Sequence, residues 1–126
     1  KEHDFYFFPG GHMFWGESVI EGCKREIKEE LGDDVEFEFK KVLYIREFME
    51  KDEGKHSLEL FILGDVNKFE ELEGRLDPEH ENGQWLSTWL DLNNLPVNLF
   101  PVVLAKRISV EYKEGFTSGG DYVGVI

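Results

Sequence analysis

The chain has 126 residues, 40% of them hydrophobic and 14% aromatic, which suits one domain with a single core. It sets 14 Lys and Arg against 27 Asp and Glu, and the resulting net charge of −13 repels DNA, RNA and anionic membranes. No run of about 18 apolar residues and no leader pattern occurs, and the lone Cys23 has no internal disulfide partner. These features point to a single domain, residues 1–126, in a reducing, cytoplasmic setting.

Phe5 to Phe8 reads as a short strand, stopped by Pro9 and the pair Gly10-Gly11. Glycines here permit backbone shapes closed to other residues, which would let a carbonyl turn toward a cation. Ser18 with Glu21 makes a capping box, so a helix is expected from there to about Leu31. Along it Ile20, Cys23, Ile27 and Leu31 recur at helical spacing as an apolar stripe, and Gly32 takes the place of a left-handed C-terminal cap. Cys23 reads as a small core residue on that stripe rather than a nucleophile. Glu26, Glu29 and Glu30, three and four residues apart, crowd one side of the helix. Two readings fit that crowding: a solvated acidic face, or a magnesium or manganese site built from hard oxygen ligands.

Beyond the helix, Val35, Phe37 and Phe39 alternate with Glu36 and Glu38 as a half-buried strand, and a second strand is expected from Val42 to Phe48. Glu50 to Lys55, with Gly54, forms a hairpin turn into Ser57 to Leu63, a strand expected to be buried on both faces. Phe69 to Asn82 is an acidic connection containing Gly74 and Pro78, followed by a strand from Gln84 to Trp89 whose Trp85 and Trp89 are expected in the core. Leu92 to Leu95 reads as a short helical turn. Pro101 opens a second helix to about Tyr112, with Val103, Leu104 and Ile108 on its apolar face, and Tyr122 to Ile126 adds an edge strand. Two helices flanking a mixed sheet make an α/β fold of the α+β kind.

The outlying glycines and charges decide between the two readings of the glutamates. Gly11 is followed after five residues by Glu17, and after seven more by Arg25, Glu26, Ile27, any residue, Glu29, Glu30, any residue and Gly32. This pattern resembles the signature of the Nudix hydrolases, in particular MutT-like members, and a chance match at a given start is on the order of 10⁻⁸. Phe8-Pro9-Gly10-Gly11 and the order of elements resemble the family more loosely. Asp33 departs from the pattern where the family usually has an apolar residue, and Phe14-Trp15 departs where many members carry Glu and Pro. Family members normally carry strands ahead of the Pro-Gly-Gly. No such segment precedes Pro9 in this sequence, so the sheet is expected either to be completed another way or to lie partly outside it.

The resemblance implies an α/β/α sandwich with a mixed β-sheet and a loop-helix-loop catalytic box. It also implies a metal-dependent hydrolase that cleaves a pyrophosphate bond in a nucleoside di- or triphosphate or a related diphosphate, with Mg²⁺ or Mn²⁺ as cofactor. By position, Glu26, Glu29 and Glu30 would hold the cation with the backbone carbonyl of Gly10, with Glu29 and Glu30 also catalytic, while Gly11, Glu17, Arg25 and Gly32 shape the box. In MutT-like members a further Glu precedes the late Trp-containing strand. Glu79 matches it as a candidate base, with Glu81 close by, and a solvated loop acid is the other reading. Asn98 lies near where some members contact a purine, and reads otherwise as a residue that starts a helix. His12 reads as an exposed loop residue, and His3, His56 and His80 lack metal-ligand spacing. The expected partner is a small-molecule nucleotide or other diphosphate, with neither nucleic-acid polymer nor membrane, and a homodimer is compatible with the chain. The alternative function is a catalytically inactive Nudix-fold nucleotide-binding or regulatory module. Its usual mark is loss of the box glutamates, and all three are present here. A purely structural acidic domain would leave the spacing unexplained.

Overall fold

The structure, a computed structural model, describes residues 6–73 and 88–126. In chain order it contains β1 (Tyr6–Phe7), α1 (Val19–Leu31), β2 (Phe37–Glu50), β3 (Lys55–Val66), β4 (Leu99–Phe100), α2 (Val102–Lys113) and β5 (Asp121–Val125). β2 and β3 are joined by a turn too short for anything but antiparallel strands, while β5 pairs with β2 in parallel, giving the order β3-β2-β5. The sheet is therefore mixed, and with two helices the fold is α+β, the class expected from the sequence.

By contacts the chain forms two compact units. The first comprises Lys1–Phe7, Lys40–Leu63 and Asp91–Ile126. Within it β1 and β4 pair in parallel, Tyr6 opposite Leu99, with the Tyr6 N–H donating to the Asn98 carbonyl at 3.0 Å. Its core gathers Leu43 and Tyr44 of β2, Leu99, and Leu104, Ala105 and Ile108 of α2. Tyr44 is fully buried and its hydroxyl donates to Glu111 at 2.7 Å. Burial and the neighbouring Glu111 push that phenol up, while Arg107, 2.7 Å away, holds the Glu111 carboxyl below its usual range.

The second unit comprises Phe8–Phe39 and Gly64–Leu90. α1 begins where the capping box places it: Ser18 Oγ accepts from the Glu21 N–H at 3.1 Å, and Glu21 accepts from the Ser18 N–H at 2.8 Å. At its other end the Gly32 N–H donates to the Lys28 carbonyl, and Lys28 Nζ donates to the carbonyls of Asp33 and Val35 and to Glu36. Gly64 is held by close approach. A Cβ there would lie 2.3 Å from the Phe37 ring and 2.5 Å from the Glu38 carbonyl oxygen, a backbone atom that cannot step aside. Gly64→Ala should therefore cost about 2–3 kcal/mol of stability, read as a lower urea midpoint with an unchanged slope. A midpoint within error of the parent would show that the strands separate without penalty.

Several expectations are corrected. The two strands expected at 35–39 and 42–48 are one continuous β2, because Lys40-Lys41 contains no turn residue and Lys41 stays in the ladder while its Nζ donates to the Phe116 and Ser118 carbonyls. β3 is not buried on both faces: it ends the sheet, and Leu58 is 67% exposed. Arg46 selects the inner face, pairing with Glu59 at 2.7 Å and lying over the rings of Phe48 and Phe61. Ile20 of the α1 stripe and Val103 of α2 are exposed, and Ala105 takes the buried place instead of Val103. Gly32 has φ 128° and ψ 150°, a backbone shape reserved for glycine but not the left-handed helical one. Residues 92–94 form a turn with Asp91 Oδ1 accepting from the Asn93 N–H, not a helical turn. Trp89 is a surface residue, stacked on Phe69 at 3.9 Å with its indole N–H donating to the Phe69 carbonyl, so it finds its partners without entering the core. Trp85 and residues 84–87 of the expected strand lie outside the described residues, and 88–89 carry no strand. β5 is the edge strand expected at the end of the chain.

Candidate active site

The loop before α1 is tied to the helix through one arginine. Arg25 donates from Nε to both Glu17 carboxylate oxygens at 3.3 and 3.0 Å, and from Nη2 to Glu17 Oε1 and the His12 carbonyl, each at 2.7 Å. Its Nη1 reaches Glu26 at 2.8 Å and Glu29 at 3.0 Å. The guanidinium also covers the Phe14 ring, 3.7 Å from its centroid. Such a planar fork of donors can serve three carboxylates and a carbonyl together, which a lysine cannot.

Glu17 is the other half of the fastening. Its carboxylate accepts the Phe14 N–H at 2.7 Å, while the Glu17 N–H donates to the Phe14 carbonyl at 3.2 Å. Residues 14–17 thus close a turn whose third residue, Gly16, has φ 91°, as a type II turn requires. The Arg25 hydrogen bonds first, and the Phe14 N–H second, hold the Glu17 carboxyl below the usual carboxylate range. A carboxyl lowered in this way stabilises the fold above the unfolded value near 4.3, and loses that contribution as pH falls through its folded value. Glu17→Gln should therefore melt below the parent at neutral pH, with the gap narrowing once pH drops under about 4. A gap that is constant with pH would show that the charge of Glu17 does not matter.

The glutamates meet the glycines. The Gly10 N–H donates to both oxygens of Glu30 at 3.3 and 3.2 Å. At Gly11 a Cβ would sit 2.3 Å from the Glu26 carboxylate. Neither glycine has a positive φ, which corrects the expectation that both serve a special backbone shape. Gly11 is needed for room. The obstructing atoms are the end of a flexible side chain, so Gly11→Ala should leave the thermal midpoint nearly unchanged while swinging the Glu26 carboxylate away. Turnover of any diphosphate substrate should fall at least about tenfold, since a misplacement of about 1 Å is worth roughly that much or more. Full turnover with a normal midpoint would show that the position of the Glu26 carboxylate is not critical.

Reasoning from sequence missed two contributors. Gly22, the buried residue of α1, lies where a Cβ would come 3.2 Å from Glu17 Oε1, so it clears the path for the fastening carboxylate. Its signal was visible: glycine costs about 1 kcal/mol in a helix interior and is retained there for close approach. Phe14, noted only as a departure from the family pattern, supplies the ring that covers Arg25.

Among the described residues no three His, Cys, Asp or Glu side chains are grouped so as to hold a metal ion by themselves. Glu26 and Glu29 are drawn toward Arg25 and Glu30 toward the Gly10 N–H. The donor chemistry nevertheless fits the cation the box implies: Mg²⁺ is usually held by one or two carboxylates together with substrate phosphates, not by a closed protein cage. Glu26 and Glu30, four residues apart and seated on adjacent glycines, could serve as such a pair. Cys23, half-buried, has its thiol pushed up by burial and is no ready nucleophile.

Glu79, Glu81, His3 and His80 lie outside the described residues. Asn98 immediately precedes β4, where its carbonyl serves Tyr6, and His56 is paired with Glu47 at 2.7 Å. His12 is exposed and contributes its carbonyl, not its ring, to Arg25. No helix among the described residues is long and apolar enough to cross a membrane.

No curated protein and no solved structure matches the chain. A family model described as the NUDIX domain matches residues 1–111, which takes in β1, the fastened loop, α1 and most of α2. With the match extending over most of its length, the chain belongs to the Nudix family.

Proposed function

We propose that residues 1–126 act as one Nudix domain that hydrolyses the pyrophosphate bond of a nucleoside di- or triphosphate or a related diphosphate in the cytoplasm, using Mg²⁺ or Mn²⁺. Nudix domains are in general hydrolases of nucleoside diphosphate derivatives, and the observation that carries the reading here is the seating of Glu26 and Glu30 against Gly11 and Gly10. Glu26 and Glu30, with the Gly10 carbonyl, would hold the cation. When bound, it neutralises adjacent phosphate oxygens and makes water a better nucleophile near neutral pH. Arg25 keeps Glu26 and Glu29 from turning away from one another's side of the helix, and the Glu17 fastening keeps the loop against them. Glu29, held by Arg25 through one oxygen, has the other available to take the proton of the attacking water, with Glu79 as the second candidate. The water oxygen bonds to phosphorus as the bridging P–O bond breaks, and the leaving phosphate departs with the bridging oxygen.

The test is release of phosphate, pyrophosphate or nucleotide from a panel of nucleoside triphosphates, sugar nucleotides and dinucleotides, with Mg²⁺ and with chelator. Chelator-sensitive turnover of at least one member is the expected result. A second reading, a nucleotide-binding module without turnover, is favoured by one feature: Arg25 already neutralises two of the box carboxylates. Silence across the panel from folded protein that still binds nucleotide would establish it in place of the first.

A further inference from the structure

Trp15 stands wholly in solvent, at 101% of its reference exposure, and its neighbours Met13 and Phe14 are each more than half exposed. Three consecutive large apolar residues facing water are surface that a folded chain seldom presents without a use. The turn that presents them is not loose. Its two ends are joined by the Phe14–Glu17 hydrogen bonds, and Glu17 is fastened by the same Arg25 that holds Glu26 and Glu29. The Phe14 ring is committed to that guanidinium, whereas the Trp15 indole at the apex is committed to nothing. The contrast with Trp89 is informative, since that ring is stacked on Phe69 and its N–H is used.

Charge supplies the second line of argument. A phosphorylated substrate approaches a chain of net charge −13. Among the described cations of this unit Arg25 is engaged by three carboxylates, Lys28 by Glu36 and two carbonyls, and Lys68 lies near Asp34 and Glu71, while Lys24 of α1 is exposed. Whatever Lys24 contributes to the phosphates, the part of the substrate that carries none takes contacts indifferent to charge. An exposed indole on the turn that Arg25 fastens to Glu26 and Glu29 is suited to that, because stacking on a planar ring needs only a free π-face.

We propose that Trp15 is a substrate-binding residue whose indole stacks on the planar ring of a nucleoside diphosphate derivative, so that the chain favours diphosphates bearing an aromatic ring over those without one. The proposal rests on the hydrolase reading above and adds the group that recognises the non-phosphate part. It is tested on the full chain with Trp15→Ala and Trp15→Phe. Both replace a side chain that packs on nothing, so folding is preserved and is checked by the thermal midpoint. The first measurement is the ratio of kcat/KM for the best nucleoside substrate to that for a diphosphate lacking any ring. The expected result is a fall of about tenfold in Trp15→Ala, carried by KM, and of less than about threefold in Trp15→Phe. An unchanged ratio overturns the proposal. The second measurement is quenching of tryptophan fluorescence on titration with Mg²⁺-ADP, expected in the parent and diminished in Trp15→Ala. Quenching by Trp15 without turnover of any substrate would leave the stacking in place and remove the hydrolase reading. Turnover with an unchanged ratio and the same quenching in both chains would do the reverse.

Discussion

Glu26→Gln and Glu30→Gln should each lower kcat/KM by about 10³-fold while the protein stays folded. Glutamine keeps the shape of either side chain. At position 30 the amide oxygen still accepts the Gly10 N–H, and at position 26 it still fits the space that Gly11 leaves and accepts from Arg25. What is lost is one negative charge and one strong oxygen ligand, and a transition-state contribution of about 4 kcal/mol corresponds to that fall in rate. Two readings of the thermal midpoint separate this from general damage. Without divalent cation Glu30→Gln should melt at or above the parent, because repulsion between neighbouring carboxylates is relieved, whereas Glu26→Gln gives up its ion pair with Arg25 and should melt slightly below it. With millimolar Mg²⁺ or Mn²⁺ the parent should gain stability by mass action and the variants should gain little. Parent and variants that respond alike to the cation would remove Glu26 and Glu30 from the metal site. Variants that melt well below the parent without cation would show that the carboxylates are needed for the fold.

Much of this site could be read in the sequence because its determinants are local. Ser18 and Glu21 specify where α1 starts through hydrogen bonds that span three residues, and the glutamates face one side of it because helical periodicity leaves no alternative. Family resemblance supplied the roles of Arg25 and Glu17, and the side chains do meet. The reason for Gly11 was not legible, since the encounter with Glu26 is fifteen residues away and depends on a path the loop takes only in three dimensions. The same holds for sheet faces. β3 reads as buried on both faces because Leu58, Leu60 and Ile62 alternate with residues that include Phe61 and Leu63, but Arg46 on the adjoining strand takes Glu59 on one face and Leu58 on the other is left exposed. The continuous β2 was split in expectation because the apolar phase shifts near Lys40-Lys41, where a half-covered ribbon becomes a strand with neighbours on both sides. Such changes in environment alter a pattern without breaking an element. Trp89 shows a related limit: composition favours aromatic residues inside, but a single stacked partner and one carbonyl are enough to keep this one at the surface.

Arg25→Met should lower both the thermal midpoint and turnover, because it removes a charge shared by four groups and leaves the bulk of the side chain. Without the guanidinium, Glu17, Glu26 and Glu29 face one another with no neutralising partner, and the His12 carbonyl loses its donor. The loop then keeps the Phe14–Glu17 bonds within it and the Gly10–Glu30 bonds to the helix, and the Phe14 ring loses the cation it lies against. A midpoint lower by several degrees and a fall in kcat/KM of at least about 10²-fold are expected, the latter because the loop also carries the two glycines that seat Glu26 and Glu30. Arg25→Lys should restore little, since one ammonium cannot reproduce donors pointing from Nε, Nη1 and Nη2 to separate acceptors. The decisive comparison is the double variant with Glu17→Gln. If the two side chains act as one fastening, Glu17→Gln costs much less in the Arg25→Met background than in the parent, because its principal partner is already gone. Strictly additive losses would mean that Arg25 works through Glu26 and Glu29 alone, and that the Glu17 contact is incidental to both fold and rate.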